Sequence, residues 1–200
     1  MTFFDALSDF KALLHDFRGV SLWAVGGGLA VPFAASLADL APPWPPGIVG
    51  VTAVVELLTL VFVYQFFQFA GKARINRALL SSAVLLIALG VAYFVLFSLF
   101  TYTTQPKKLL LVKGFICTPE AAAVYKGKCP LLGFDEVKEA EYEPERLWTQ
   151  GSLAASRVVL SAVWLGSFLA LSAVLGSFLV YQRRIGRRRL ERPKRETAKL

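Results

Sequence analysis

The spacing of charged residues constrains this chain more than any other feature. Twenty uncharged residues separate Arg18 from Asp39, 29 separate Arg77 from Lys107, and 25 separate Arg157 from Arg183. Between Asp39 and Lys72, 32 residues carry one charge, Glu56. A hydrocarbon core about 30 Å thick is crossed by roughly 20 helical residues at about 1.5 Å each, so all four stretches are long enough to span. Their apolar residues lack the alternation a membrane strand needs, which leaves helices. The spans are predicted at 20–38, 48–70, 78–101 and 153–181. Composition agrees: the chain is 56% hydrophobic and 18% charged, against roughly 45–50% and about 25% in soluble domains.

The expected fold is an all-α integral membrane protein with four transmembrane helices. A small disulfide-bonded extracytoplasmic loop domain is expected between helices three and four. The parts are a cytoplasmic interfacial helix (1–18), helices one to three (19–101), the loop domain (102–152), helix four (153–181) and a basic tail (182–200). Orientation follows from basic residues beside the spans. Lys11, Arg18, Lys72, Arg74, Arg77 and nine residues after Tyr181 place 14 on one side. The 40–47 turn opposite has none, and the seven in 102–152 are matched by seven acids. Both termini are therefore expected in the cytoplasm, with a bacterial inner membrane as the location. Ser36-Leu37-Ala38 resembles a signal cleavage site, but three acids against two bases precede the span, which argues for retention.

Phe3, Leu7, Phe10, Leu14 and Phe17 follow helical spacing, so residues 2–18 are read as an amphipathic helix lying in the interface. His15, on its polar flank, is read as solvated. Span one contains Gly26-Gly27-Gly28 and then Pro32, where a kink is expected. Span four carries Ala162, Gly166 and Ala170 at four-residue spacing. Such small residues let helix backbones approach closely, within one subunit or between subunits. Trp44, in a proline-rich turn, is expected at the interfacial aromatic belt, and Trp148 is read as marking the re-entry into span four.

In the loop, Leu109–Val112 is predicted as a short strand. Thr118-Pro119-Glu120 opens a helix expected to run to about Lys126 and to stop at Gly127. Asp135–Arg146 is expected to be partly helical until Pro144 interrupts. Thr149, Ser152 or both are expected to cap span four. Cys117 and Cys129 bracket the first loop helix, and outside the cytoplasm a disulfide between them is expected.

Four spans, cytoplasmic termini and a cysteine pair in the second outside loop resemble the layout of bacterial disulfide-forming quinone reductases. That family also needs a C-x-x-C pair in the first outside loop, and 39–47 holds no cysteine, so no relay to quinone is implied. The layout is also similar to that of tetraspanins, whose Cys-Cys-Gly signature is absent.

Glu56 is the most informative residue. A charge inside a span is costly and faces a partner, a cavity or water. The first reading pairs it with Arg157, about 6 Å different in depth. A protonated, bundle-bonded acid and a pore-lining or proton-coupling carboxylate are the alternatives. Gln65 and Gln68 could extend a polar stripe toward the cytoplasm, broken at Val61 and Tyr64. In the tail, Arg183, Arg184, Arg187, Arg188 and Arg189 fix topology and contact anionic lipid headgroups; nucleic acid is not the expected partner.

One histidine and two cysteines exclude most zinc and iron–sulfur designs, and no cofactor or metal is expected. No phosphate loop, HExxH or Ser/His/Asp set points to an enzyme. The expected function is a self-associating, non-enzymatic membrane protein that forms or gates a membrane pathway, as a channel-like or membrane-disrupting effector does. The alternatives are an anchor or accessory subunit that docks a partner protein through its loop or tail, and a small proton-coupled carrier using Glu56.

Overall fold

The computed structural model describes the backbone of residues 20–104 and 109–197, and side chains at 26, 30–104 and 109–182. The 2–18 helix and His15 lie outside the described residues. The chain is mostly helical. Helix α1 (Val20–Leu37) contains Pro32. It ends at Asp39, whose φ of 55° turns the chain out of the helix. After the proline-rich turn, α2 (Ile48–Phe67) carries Glu56 as its single charged residue. A short turn at 68–71 leads into α3 (Lys72–Phe100). This helix begins six residues before the predicted span and so takes in Lys72, Arg74 and Arg77.

Among the described residues, three helices are long and apolar enough to cross a membrane: α2, α3 and the Gln150–Gln182 part of α7 (Gln150–Thr197). Their faces agree with that reading. Phe62, Leu80 and Ile87 are each about two-thirds exposed, a surface that water would not tolerate over such a length. Helix α1 forms where the first span is expected. Helix α7 continues without a break past Tyr181, where the span and the tail were expected to part. Its 48 residues extend about 72 Å at about 1.5 Å each.

The described residues divide into two compact units. One holds 20–39, 49–87 and 167–197; the other holds 40–48, 88–104 and 109–166. In the first, Tyr64, Ala70, Ile75 and Val180 form a buried cluster with Phe67 and Tyr181. The second contains the loop between α3 and α7. There β1 (Thr101–Thr103) pairs antiparallel with β2 (Leu110–Val112), Tyr102 opposite Leu111. Three short helices follow: α4 (Pro119–Val124), α5 (Phe134–Glu139) and α6 (Pro144–Leu147).

The predicted strand is β2, and its partner β1 continues directly from α3. Helix α4 starts as expected: the Thr118 side chain accepts from the Ala121 N–H at 3.2 Å, with Pro119 at the first helical position. It stops at Val124 rather than Lys126, and Gly127 takes up the turn with φ of 80°. Pro144 opens α6 instead of interrupting a helix. Proline lacks only an N–H that the first helical turn does not use. The preceding break comes from Glu141 and Tyr142, at φ of 56° and 60°. Ser152 does not cap α7; its hydroxyl donates to the carbonyls of Thr149 and Ile116.

Trp148 stands two residues before α7 begins, where re-entry was expected. Its exposure is 0%, and it sits at the centre of the loop core with Leu132, Val137 and Leu147. Its indole N–H donates to the Pro130 carbonyl at 3.0 Å, which satisfies the ring's one polar group. Trp44 stays half-exposed, while its carbonyl accepts from the Ser161 hydroxyl.

Candidate functional site

In α2, besides Val61 and Val63, the buried positions recur at every fourth residue: Ile48, Thr52, Glu56, Leu60 and Tyr64. Four residues advance a helix by about 400°, so these side chains share one face. Glu56 is therefore placed inward by the helix itself, and it is only 2% exposed. Among the described residues its Oε2 has no hydrogen-bond partner. An unpaired buried polar atom costs about 1–3 kcal/mol, and more when ionised. That cost makes Glu56 the candidate functional residue of this helix.

Gln65 does not prolong this face, and Gln68, at its next four-residue step, lies just past the last residue of α2. Gln65 is nine residues on, about 180° around the helix, and the residues that follow Glu56 inward are Leu60 and Tyr64. Gln65 and Gln68 are both half-buried. Between Glu56 and the glutamines this face is thus filled by an aliphatic and an aromatic side chain. Arg157 is half-buried, and its carbonyl accepts from the Ser161 hydroxyl at 2.9 Å. Glu56 belongs to the first unit and Arg157 to the second; the ion pair expected between them is a proposal, tested below by substitution.

Also in the first unit, α7 presses against α2 just beyond Glu56. A Cβ added at Gly176 would lie 2.8 Å from Val63 Cγ1 and 3.7 Å from the Leu60 carbonyl oxygen. The next residue, Ser177, is 1% exposed, and its hydroxyl also has no hydrogen-bond partner. The close approach foreseen at Ala162, Gly166 and Ala170 thus falls mainly at Gly176. Ala162 is exposed, Ala170 is buried, and a Cβ on Gly166 would meet only the end of the Leu89 side chain at 3.3 Å. Gly176 belongs to the same series of small residues in span four, but spacing alone could not say which of them meets a neighbour. In α1, Gly26 has nothing within 4 Å of an added Cβ. The surroundings of Gly27 and Gly28, and the side chains of Arg183, Arg184, Arg187, Arg188 and Arg189, lie outside the described residues; the backbone there is α1 and α7.

The loop domain is the second candidate. Cys117 and Cys129 form the expected disulfide, with Cα atoms 6.2 Å apart. Its polar groups are paired within the loop. Lys113 Nζ donates to the Leu132 carbonyl at 2.9 Å, and burial pulls this ammonium below its usual pKa, with Glu136 acting against that. Lys128 Nζ donates to Glu136 Oε1. That bond, with help from the Glu136 and Gly133 backbone, holds the Glu136 carboxyl below its ordinary value. Burial pushes the Tyr102 phenol up to about 12, and its hydroxyl donates to the Tyr142 carbonyl at 3.4 Å. Among the described residues no group of His, Cys, Asp and Glu could hold a metal ion.

No family model matches the chain, and no curated protein or solved structure shows significant similarity to it.

Proposed function

We propose that the chain is a self-associating, non-enzymatic membrane protein that lines or gates a pathway across the bilayer. In this reading α1 is a fourth span. The arginine-rich end of α7 and the N-terminus lie in the cytoplasm, with the loop domain outside and a bacterial inner membrane as the setting. The observation that carries the reading is Glu56: a buried carboxyl in an apolar spanning helix, one oxygen without a partner. A carboxyl in that state is poised to take a proton, a cation or water. Self-association is supported by Gly26: among the described residues nothing lies within 4 Å of an added Cβ, which leaves room for a contact between copies. Arg183–Arg189 would hold anionic headgroups.

Ion flux from liposomes containing the purified protein tests this. Flux should rise more steeply than in proportion to protein density, and Glu56→Gln should lower it about tenfold or more, the weight of about 1.4 kcal/mol in a barrier. A membrane that stays tight at every density removes the reading.

A second reading is an accessory subunit that docks a partner protein through the loop. It is favoured by Val124, Leu131 and Phe134, which are 71%, 56% and 49% exposed on the disulfide-bonded domain. Stable co-purification with a larger protein, together with absent flux, would select it.

A further inference from the structure

Within the second unit, a cavity of about 120 Å³ lies between α3, α7 and the loop, lined by Leu96, Phe100, Phe115, Ser156, Val159 and Leu160. Five of the six are apolar, and none carries a charge. An apolar cavity near 150 Å³ stays dry and accepts an apolar guest, so water is not the expected occupant here.

The depth of the cavity says which guest is at hand. Ser156 to Leu160 lie about 9–15 Å along α7 from its first residue, and Leu96 lies about 6 Å before the end of α3. One leaflet of hydrocarbon is about 15 Å deep. The cavity is therefore level with the acyl chains of the leaflet on the loop side. Its rim joins the bilayer-facing surface: Val159 is 47% exposed and Phe115 45%, beside Val95, Leu99 and Val158, at 51%, 43% and 55%. Ser156 is the one small residue of the lining and is itself buried, so no stripe of small residues is there to receive a second helix. A slim, flexible chain fits where a helix does not.

We propose that this cavity seats one acyl chain of a phospholipid from the loop-side leaflet, with Phe115 as its roof. Phe115 is fixed there by its neighbour. A Cβ on Gly114 would lie 2.6 Å from Trp148 Cβ and would strike the Ser152 hydroxyl, so the 114–116 segment is clamped to the loop core. The seat thereby couples the loop domain to the membrane beside it. It rests on the membrane reading of α3 and α7 but not on any pathway through them.

The test uses the full chain in lipid nanodiscs doped with a phosphatidylethanolamine that carries a diazirine in the middle of one acyl chain. After irradiation, adducts are mapped by peptide mass spectrometry. Adducts should concentrate on the lining residues relative to Leu80–Val91, a lipid-facing stretch outside the cavity. Val159→Trp, at an exposed position where folding tolerates it, should fill the cavity and cut the lining adducts about tenfold, with those at Leu80–Val91 unchanged. Phe115→Ser should lower them as well. Equal labelling of both regions overturns the proposal. So does labelling that neither substitution alters, or a disulfide between two copies of Val159→Cys that displaces the lipid adducts.

Discussion

In the loop domain, Trp148 donates to Pro130, Lys113 to Leu132, and Lys128 to Glu136, so groups taken from water have found protein partners. In the first unit, by contrast, Glu56 and Ser177 each keep a buried oxygen unpaired. Both regions bury polar atoms, yet only one completes the replacement of water. Completed networks hold a shape. An incomplete one carries a free-energy cost that pairing within the protein does not offset, and a group that binds something or moves with a change of state is where such a cost is found. The loop therefore reads as scaffold, and the neighbourhood of Glu56 as the working part.

The largest test strikes the centre of the scaffold. Trp148→Ala removes the side chain on which Tyr102, Leu132 and Leu147 pack and should cost about 3–5 kcal/mol. Limited proteolysis should then cut between Lys113 and Arg146 while α2 and α3 stay protected. An uncut loop would show that the core does not depend on this residue. Cys117→Ser follows. Opening the ring closed by a bridge of sequence separation 12 should cost about 3 kcal/mol in the chain-entropy model. The same protease assay should rank it below Trp148→Ala.

A smaller effect separates two glycines that look alike in sequence. Gly176→Leu drives a side chain into Val63 and should cost about 1–3 kcal/mol by overpacking. Gly26→Leu meets nothing within 4 Å and should leave monomer stability unchanged, altering only the oligomer mass in mild detergent. Equal loss of thermal stability in both variants would erase the distinction.

What the residues revealed beforehand follows from the range of the forces involved. The spanning helices were legible because charge-free length is a local property set by the thickness of the bilayer. So were the Thr118 cap and the cysteine pair, which depend on a few adjacent residues or on the redox compartment. Trp148 marked the re-entry into α7, but its burial was not legible, because a tryptophan next to a span has two stable environments, an interface and a core. Only the fold around Pro130 decides between them. Pro144 was misread for a similar reason: proline both stops and starts helices, and the left-handed Glu141 and Tyr142 that end α5 carry no glycine signal. Glu56 was conspicuous as a lone charge. That its own face is continued by Leu60 and Tyr64 before Gln68, and not by Gln65, follows from counting about 100° per residue from Glu56.

The smallest effect on stability is the sharpest probe of the comparison, because it makes the same chemical change in both regions. Glu136 is held below its ordinary value of 4.5, so the unfolded loop takes up a proton before the folded loop does. Its contribution is therefore present above pH 4.5 and is lost as pH falls through the lower folded value. Glu136→Gln should abolish that acid sensitivity and slightly loosen the loop to protease at neutral pH. Glu56→Gln should behave differently. The amide keeps the shape and removes the charge of a group whose Oε2 has no partner to lose, so thermal stability should stay level or rise by about 1 kcal/mol while flux falls. A loss of about 3–5 kcal/mol would instead mean that a buried cation had been orphaned. Recovery in the double variant Glu56→Gln with Arg157→Gln would identify that cation as Arg157. In that event Glu56 would join the loop's carboxylate as scaffold, and the working part of the molecule would have to be sought elsewhere.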